Sequence, residues 1–208
     1  MKTLLNRIEG LKNDGIKDII ERRISEFESF RKKPSKEVFK EYCFCVLTAN
    51  FDAEKGIKIQ KEIGNGFLTL SEKQLARKLK KLGYRFPNMR AKFIAEGRKY
   101  KDNLKSIIDS FENESELREW LVRNMKGLGY KEASHFLRNI SCKNLAIIDF
   151  HIIDVLEKHG LIKRPKTVTR KKYLEIENLL KDVAQKSGLN LAELDLYLWY
   201  LETGKVLK

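Results

Sequence analysis

Cysteine, proline and histidine are scarce in this chain, with three residues of each among 208. Cys43, Cys45 and Cys142 are too few for a disulfide framework. No Cys-x-x-Cys pair exists, which excludes a four-cysteine zinc or iron–sulfur centre. Cys43 and Cys45 flank Phe44 in the apolar run Tyr42–Leu47 and read as buried core thiols. His135 and His151 have no third ligand at metal spacing, so they are expected to be structural or to touch phosphate, and no cofactor is expected. No apolar run reaches membrane-spanning length, and Met1–Arg7 lacks the apolar core of a signal peptide. A soluble, intracellular, cytoplasmic protein associated with the nucleoid is expected, with no membrane partner.

Positive charge, by contrast, is abundant. Forty-three Lys and Arg against 29 Asp and Glu give a net charge of +14, which points to a polyanionic partner, most simply nucleic acid. A basic surface rich in ion pairs, of the kind thermophiles carry, accounts for the same composition without such a partner.

Strand-type alternation is missing throughout, and helical spacing dominates, so an all-α fold of roughly ten helices is expected. Leu4, Leu5, Ile8 and Leu11 share one helical face and Asn13-Asp14-Gly15 ends it; Ile16–Arg31, Lys36–Ala49 and Ala53–Ile63 follow. Ser71-Glu72-Lys73-Gln74 is a capping-box pattern. The helix it opens buries Leu75, Leu79 and Leu82, with Lys73, Arg77, Lys78, Lys80 and Lys81 around its other face. Pro87 suits the first turn of the next helix, which runs to about Tyr100. Shorter helices are expected near Leu104–Phe111 and Ser115–Asn124, then Phe150–His159, Tyr173–Lys186, and a last one opened by Asn190–Glu193.

The chemistry concentrates between Arg123 and Asp149. Gly127 and Gly129, one residue apart, make a tight turn that lets the backbone approach another molecule. The amphipathic segment Glu132–Ile140 follows at once, so the free N–H groups of a helix terminus can hold a phosphate without reading base sequence. Lys131 stands in the first helical turn, where the positive end of a helix favours the neutral amine that attacks carbon. Asp149 follows the apolar run Leu145–Ile148, and a carboxylate near that amine could take its proton or stabilise positive charge on a sugar. The same residues also fit a plain backbone clamp, with Lys131 on a phosphate and Asp149 as a helix N-cap.

Gly127-Leu128-Gly129-Tyr130-Lys131, Asp149-Phe150-His151 and the helical context resemble the helix–hairpin–helix DNA glycosylase superfamily. Within it, the chain resembles over nearly its whole length the archaeal-type 8-oxoguanine DNA glycosylases of the second family. Two positions depart from the superfamily pattern: Lys126 and Ile147 stand where proline is common. The resemblance implies a bifunctional glycosylase and abasic-site lyase that excises 8-oxoguanine from duplex DNA, with Lys131 as nucleophile and Asp149 as the essential carboxylate.

It also implies Arg85 and Phe86 as the wedge at the orphaned cytosine, and Trp199 as the stacking surface for the extruded base. The terminal carboxylate of Lys208 would read the oxidised purine, and Gly127, Gly129 and His151 would hold the DNA backbone. A hairpin cation on the carbonyls of Arg123, Met125 and Leu128 is allowed but not required. Two helical lobes are expected, residues 1–52 with 141–208 and residues 53–140, with the active site in the cleft between them and a monomer in solution. Two alternatives stay open at this stage, a glycosylase/lyase for an oxidised pyrimidine and a non-catalytic hairpin protein that binds DNA.

Overall fold

Side-chain caps punctuate the chain where the sequence places them. Ser71 accepts the Gln74 N–H at 3.3 Å while the Gln74 carbonyl oxygen accepts the Ser71 N–H at 2.9 Å; Asn190 and Glu193 form the second box. Each box satisfies two N–H groups that a helix start leaves orphaned. The computed structural model describes residues 1–208 and contains thirteen α-helices and one 3-10 turn, with no strand. None of these helices is long and apolar enough to cross a membrane.

The chain divides into two compact units, Met1–Arg31 with Ile140–Lys208, and Lys32–Asn139. The first holds α1 (Lys2–Lys12), α2 (Ile16–Phe30), α11 (Phe150–Lys158), α12 (Arg170–Ser187) and α13 (Leu191–Thr203). Helix α13 is its centre, packing against α1, α2, α11 and α12. Seven of its first eight residues, Leu191 to Leu198, are buried, which is what an apolar helix without a polar face requires. Ile16, Ile20 and Phe27 of α2 pack with Leu196 and Tyr197, and Val206 beyond the last helix lies against the same cluster.

The second unit holds α3 (Ser35–Thr48), α4 (Ala53–Ile63), α5 (Gly66–Thr69), α6 (Glu72–Lys81), α7 (Pro87–Gly97), the 3-10 turn Arg98–Tyr100, α8 (Leu104–Asp109), α9 (Glu114–Asn124) and α10 (Tyr130–Asn139). Helix α3 is buried from Glu41 to Thr48 and packs against α4, α5, α7, α8 and α10. That packing corrects the expected division: residues 32–52 belong with the middle of the chain, not with its ends. All three cysteines are buried and none forms a disulfide; burial is what the sequence leads one to expect for Cys43 and Cys45. Burial pushes the Cys43 thiol well above its usual range.

Candidate nucleic-acid site

The hairpin lies in the second unit, between α9 and α10. Asn113 caps α9, accepting the Ser115 and Glu116 N–H groups, and α9 ends at Asn124. Met125 and Leu128 turn inward and are buried, whereas Lys126 and Gly129 face outward. The two glycines differ in kind. Gly127 has φ +88°, and a Cβ there would lie 2.9 Å from the Phe93 ring and 3.2 Å from Val46. Gly129 has ordinary backbone geometry, and its Cβ would meet only the Glu132 carboxylate, at 3.2 Å. Folding therefore demands glycine at 127, while at 129 it leaves an open, exposed backbone surface.

Two buried groups seat α10. Arg118, only 1% exposed, donates from Nη1 to the Ser134 hydroxyl at 3.2 Å and stacks over the Tyr130 ring at 5.0 Å. The Tyr130 hydroxyl in turn donates to Glu119 of α9. Ser134 and Tyr130 bracket Lys131, so a single guanidinium ties down the turn that carries the lysine. At the far end, the Asn139 side chain donates to the buried Glu41 carboxylate at 2.7 Å, Gln60 donates to its other oxygen at 3.0 Å, and Arg138 donates to Asn139 Oδ1. Lys131 itself is partly exposed, and its ammonium lies 3.9 Å from Glu132. His135, one turn on, is buried edge-on to Phe44.

Tyr42 joins the hairpin to α7. Its hydroxyl donates to the Lys126 carbonyl at 2.8 Å and lies 3.3 Å from the Phe93 carbonyl. A Cβ on Gly97 would stand 2.9 Å from the same ring. Burial raises the Tyr42 hydroxyl well above its ordinary range, so it stays a donor.

Arg85 and Phe86 occupy the loop between α6 and α7 in this unit, with Phe86 as the N-cap residue and Pro87 opening the helix. The Arg85 guanidinium lies 4.9 Å from the Phe86 ring centre; Arg85 is exposed and Phe86 half-buried. Beneath them, Tyr84 donates to the Leu47 carbonyl at 2.7 Å, and Arg90 reaches Tyr84 and the Ala49 carbonyl. Arg85 thus stands exposed, with Phe86 half-buried beside it, on a loop whose base is pinned.

Asp149 belongs to the first unit. The backbone leading to it is buried, as the apolar run implies, and α12 satisfies its polar groups. Glu177 accepts the Ala146 N–H at 3.0 Å, and the Tyr173 hydroxyl donates to the Ala146 carbonyl at 2.7 Å while accepting the Ile148 N–H at 3.3 Å. Asp149 caps α11, taking the Ile152 N–H at 3.0 Å. The His151 ring lies between Phe150, with centres 3.9 Å apart, and Trp199, edge-on at 4.4 Å. Asp149, His151 and Trp199 therefore come together in this unit. Trp199 is half-buried on a largely buried helix, and its indole N–H is enclosed without a protein acceptor. Beyond α13, Gly204 takes a left-handed turn and the tail folds back so that Val206 packs; Lys208 is half-buried.

Arg118, Tyr173, Glu177 and Phe150 were not marked as functional by the sequence. The first three are recognisable only through partners many residues away. Phe150 reads as core by its chemistry, yet it is 63% exposed beside the aspartate. No group of three or more His, Cys, Asp or Glu side chains is placed to hold a metal.

Comparison with known proteins shows the family. The Ogg-HhH family model, described as 8-oxoguanine DNA glycosylase, matches residues 20–189. The 8-oxoguanine DNA glycosylase/AP lyase of Methanocaldococcus jannaschii is 59% identical over 206 residues, 99% of each chain. Its counterpart in Korarchaeum cryptofilum is 55% identical over 206 residues, 99% of this chain and 98% of the other. The crystal structure of the M. jannaschii glycosylase/lyase with 15mer DNA containing 8-oxoguanine matches at a TM-score of 0.97 and 58% identity, covering 99% of this chain and 100% of that one. The Thermotoga maritima 8-oxoguanine DNA glycosylase matches at 0.93 and 44%, covering 100% and 99%. With a family match across most of its length and relatives above half identity end to end, the chain belongs to the 8-oxoguanine DNA glycosylase family.

Proposed function

We propose that this protein excises 8-oxoguanine from duplex DNA and then cuts the strand at the abasic site. The observation that carries this reading is Lys131, seated by Arg118 in the first turn of the helix that follows a phosphate-binding hairpin. The hairpin N–H groups and the outward backbone at Gly129 hold the DNA backbone, and His151 is a further backbone contact. Arg85 and Phe86 enter the duplex where the damaged nucleotide leaves the stack, Phe86 filling the gap and Arg85 bonding the orphaned cytosine. Trp199 stacks on the extruded base.

Chemistry follows from an amine and a carboxylate. The Lys131 nitrogen bonds to the anomeric carbon as the glycosidic bond breaks, and the base departs with that electron pair and a proton. Asp149 takes a proton from the amine or stabilises the positive charge that develops on the sugar. Opening of the sugar ring gives a Schiff base. Loss of a proton from the adjacent carbon then expels the 3′ phosphate, which is β-elimination.

Base choice rests on one hydrogen: 8-oxoguanine carries a ring N–H where guanine presents an acceptor. The Lys208 carboxylate is the acceptor proposed for it, supported by a tail that packs back on the first unit. A cation on the carbonyls of Arg123, Met125 and Leu128 fits the end of α9, where helix carbonyls lose their partners, although Met125 already accepts a long 3.4 Å bond from the Leu128 N–H. Such an ion would add positive charge toward a phosphate. The protein acts as a monomer in this scheme.

Borohydride trapping on a duplex with 8-oxoguanine opposite cytosine tests the proposal. A covalent adduct that vanishes in Lys131→Gln while DNA binding persists is expected. Binding without any adduct in the unaltered protein would leave only a DNA clamp, and an adduct confined to oxidised pyrimidines would change the substrate.

A further inference from the structure

Helix α6 carries charge that the site described above does not use. Its sequence, Glu72-Lys73-Gln74-Leu75-Ala76-Arg77-Lys78-Leu79-Lys80-Lys81, sets five basic residues against one acid. Leu75 and Leu79 are fully buried. Lys73, Arg77, Lys80 and Lys81 recur at spacings of four, three and one, stand on one face, and are all exposed. None of the four pairs with a carboxylate. Lys78 is set apart from them, donating instead to the Glu62 carbonyl at 2.7 Å.

Several other helices pair basic residues with acids of the same helix. Lys17 pairs with Glu21, Arg23 with Glu26, Lys105 with Asp109, Lys172 with Glu175 and Lys186 with Asp182, each three or four residues apart. On α6 the same spacings bring like charges together, Lys73 with Arg77 and Arg77 with Lys80 and Lys81. That arrangement weakens a helix. A local rule broken without structural return marks a surface kept for a ligand.

The position of α6 names the ligand. The helix packs along α7 and runs directly into the pinned loop that presents Arg85 and Phe86. Lys80 and Lys81 lie at the loop end, and Lys73 lies about 12 Å away along the helix axis. Double-stranded DNA carries one phosphate per about 3.4 Å of each strand, so this face spans three or four phosphates of one strand.

We infer that the Lys73–Arg77–Lys80–Lys81 face of α6 binds the phosphates of undamaged duplex beside the wedge. It adds a second, sequence-independent grip to that of the hairpin. The inference rests on the duplex-DNA reading above, and its failure is separable from the failure of that reading.

The test compares two triple variants of equal charge. One is Lys73→Gln, Arg77→Gln, Lys80→Gln; the other, a control on exposed residues of α1 and α2, is Lys2→Gln, Arg7→Gln, Arg22→Gln. Glutamine keeps helix propensity, and circular dichroism confirms folding. Affinity for a duplex containing 8-oxoguanine is measured from 50 to 200 mM salt. Each lost phosphate contact lowers the salt slope by about 0.9, so the α6 variant should have a slope shallower by about 2–3. Across that range the wild type would lose about 16- to 60-fold more affinity than the variant. The control should keep the wild-type slope, and single-turnover excision at saturating enzyme should be unchanged in both. An unaltered slope in the α6 variant, or an equal drop in the control, overturns the inference while leaving borohydride trapping intact. A slowed saturating single turnover would also overturn it, by placing α6 in the chemistry.

Discussion

Replacing each hairpin glycine by alanine separates what the hairpin needs to fold from what it needs to bind. At Gly127 the backbone has φ +88°, where an L side chain costs about 1–2 kcal/mol. The new Cβ also lies 2.9 Å from Phe93 and 3.2 Å from Val46, inside a packed core where forced repacking costs about 1–3 kcal/mol. Gly127→Ala should therefore lose about 2–5 kcal/mol, which for a chain of this length lowers the melting temperature by about 4–20 °C. At Gly129 the backbone is ordinary and the only near neighbour is a carboxylate at the end of a flexible side chain. Gly129→Ala should stay within about 0.5 kcal/mol of the wild type, as surface substitutions do. Its methyl group, however, projects from the surface offered to the DNA backbone and should weaken duplex binding. Thermal melts by circular dichroism and fluorescence anisotropy on a labelled duplex measure both quantities. Equal melting of the two variants would refute the strain and packing argument, and unchanged binding by Gly129→Ala would refute close backbone approach.

Asp149→Asn keeps an N-cap for α11 and should melt like the wild type while excision falls steeply; Asp149→Ala should also lose about 1 kcal/mol of stability, which denaturant titration resolves. Trp199→Phe preserves a stacking ring and removes an enclosed donor that has no protein acceptor, so stability should hold or rise slightly, whereas Trp199→Ala should lose excision; a destabilised Trp199→Phe would contradict this account. Tyr42, Tyr84, Tyr197 and Cys43 are all raised by burial. The unfolded chain gives up these protons first, from ordinary values of 9.0 for cysteine and 10.0 for tyrosine, so stability should fall as pH rises above about 9, and Tyr42→Phe should make that fall shallower. Adding one residue after Lys208 should reduce 8-oxoguanine excision more than duplex binding; equal excision would remove the carboxylate from base recognition.

Local signals carried most of the helix plan. The capping boxes at Ser71 and Asn190, the proline at 87 and the apolar approach to Asp149 each act within a few residues, and each stands where the pattern puts it. Helix α5 was missed because four residues beginning with glycine have no periodicity to read. The boundary at residue 52 failed for another reason: the apolarity of α3 shows that it is central, but only packing shows that its neighbours are α4, α5, α7, α8 and α10. Arg118 looks like a solvated arginine in Glu-Leu-Arg-Glu-Trp until Tyr130 and Ser134, 12 and 16 residues on, fold over it. Phe150 shows the opposite failure, since hydrophobicity cannot distinguish a core ring from one left exposed beside a site.

Tyr42 has a mechanical consequence. One rigid phenol on the central helix touches the carbonyl of Phe93, in the helix the wedge loop feeds, and that of Lys126, in the hairpin. Within this unit the two parts that would grip DNA are thus jaws of a calliper whose gap is set by core packing, not by a hinge. If both parts grip DNA as proposed, a duplex would have to deform to a spacing that the core has already fixed.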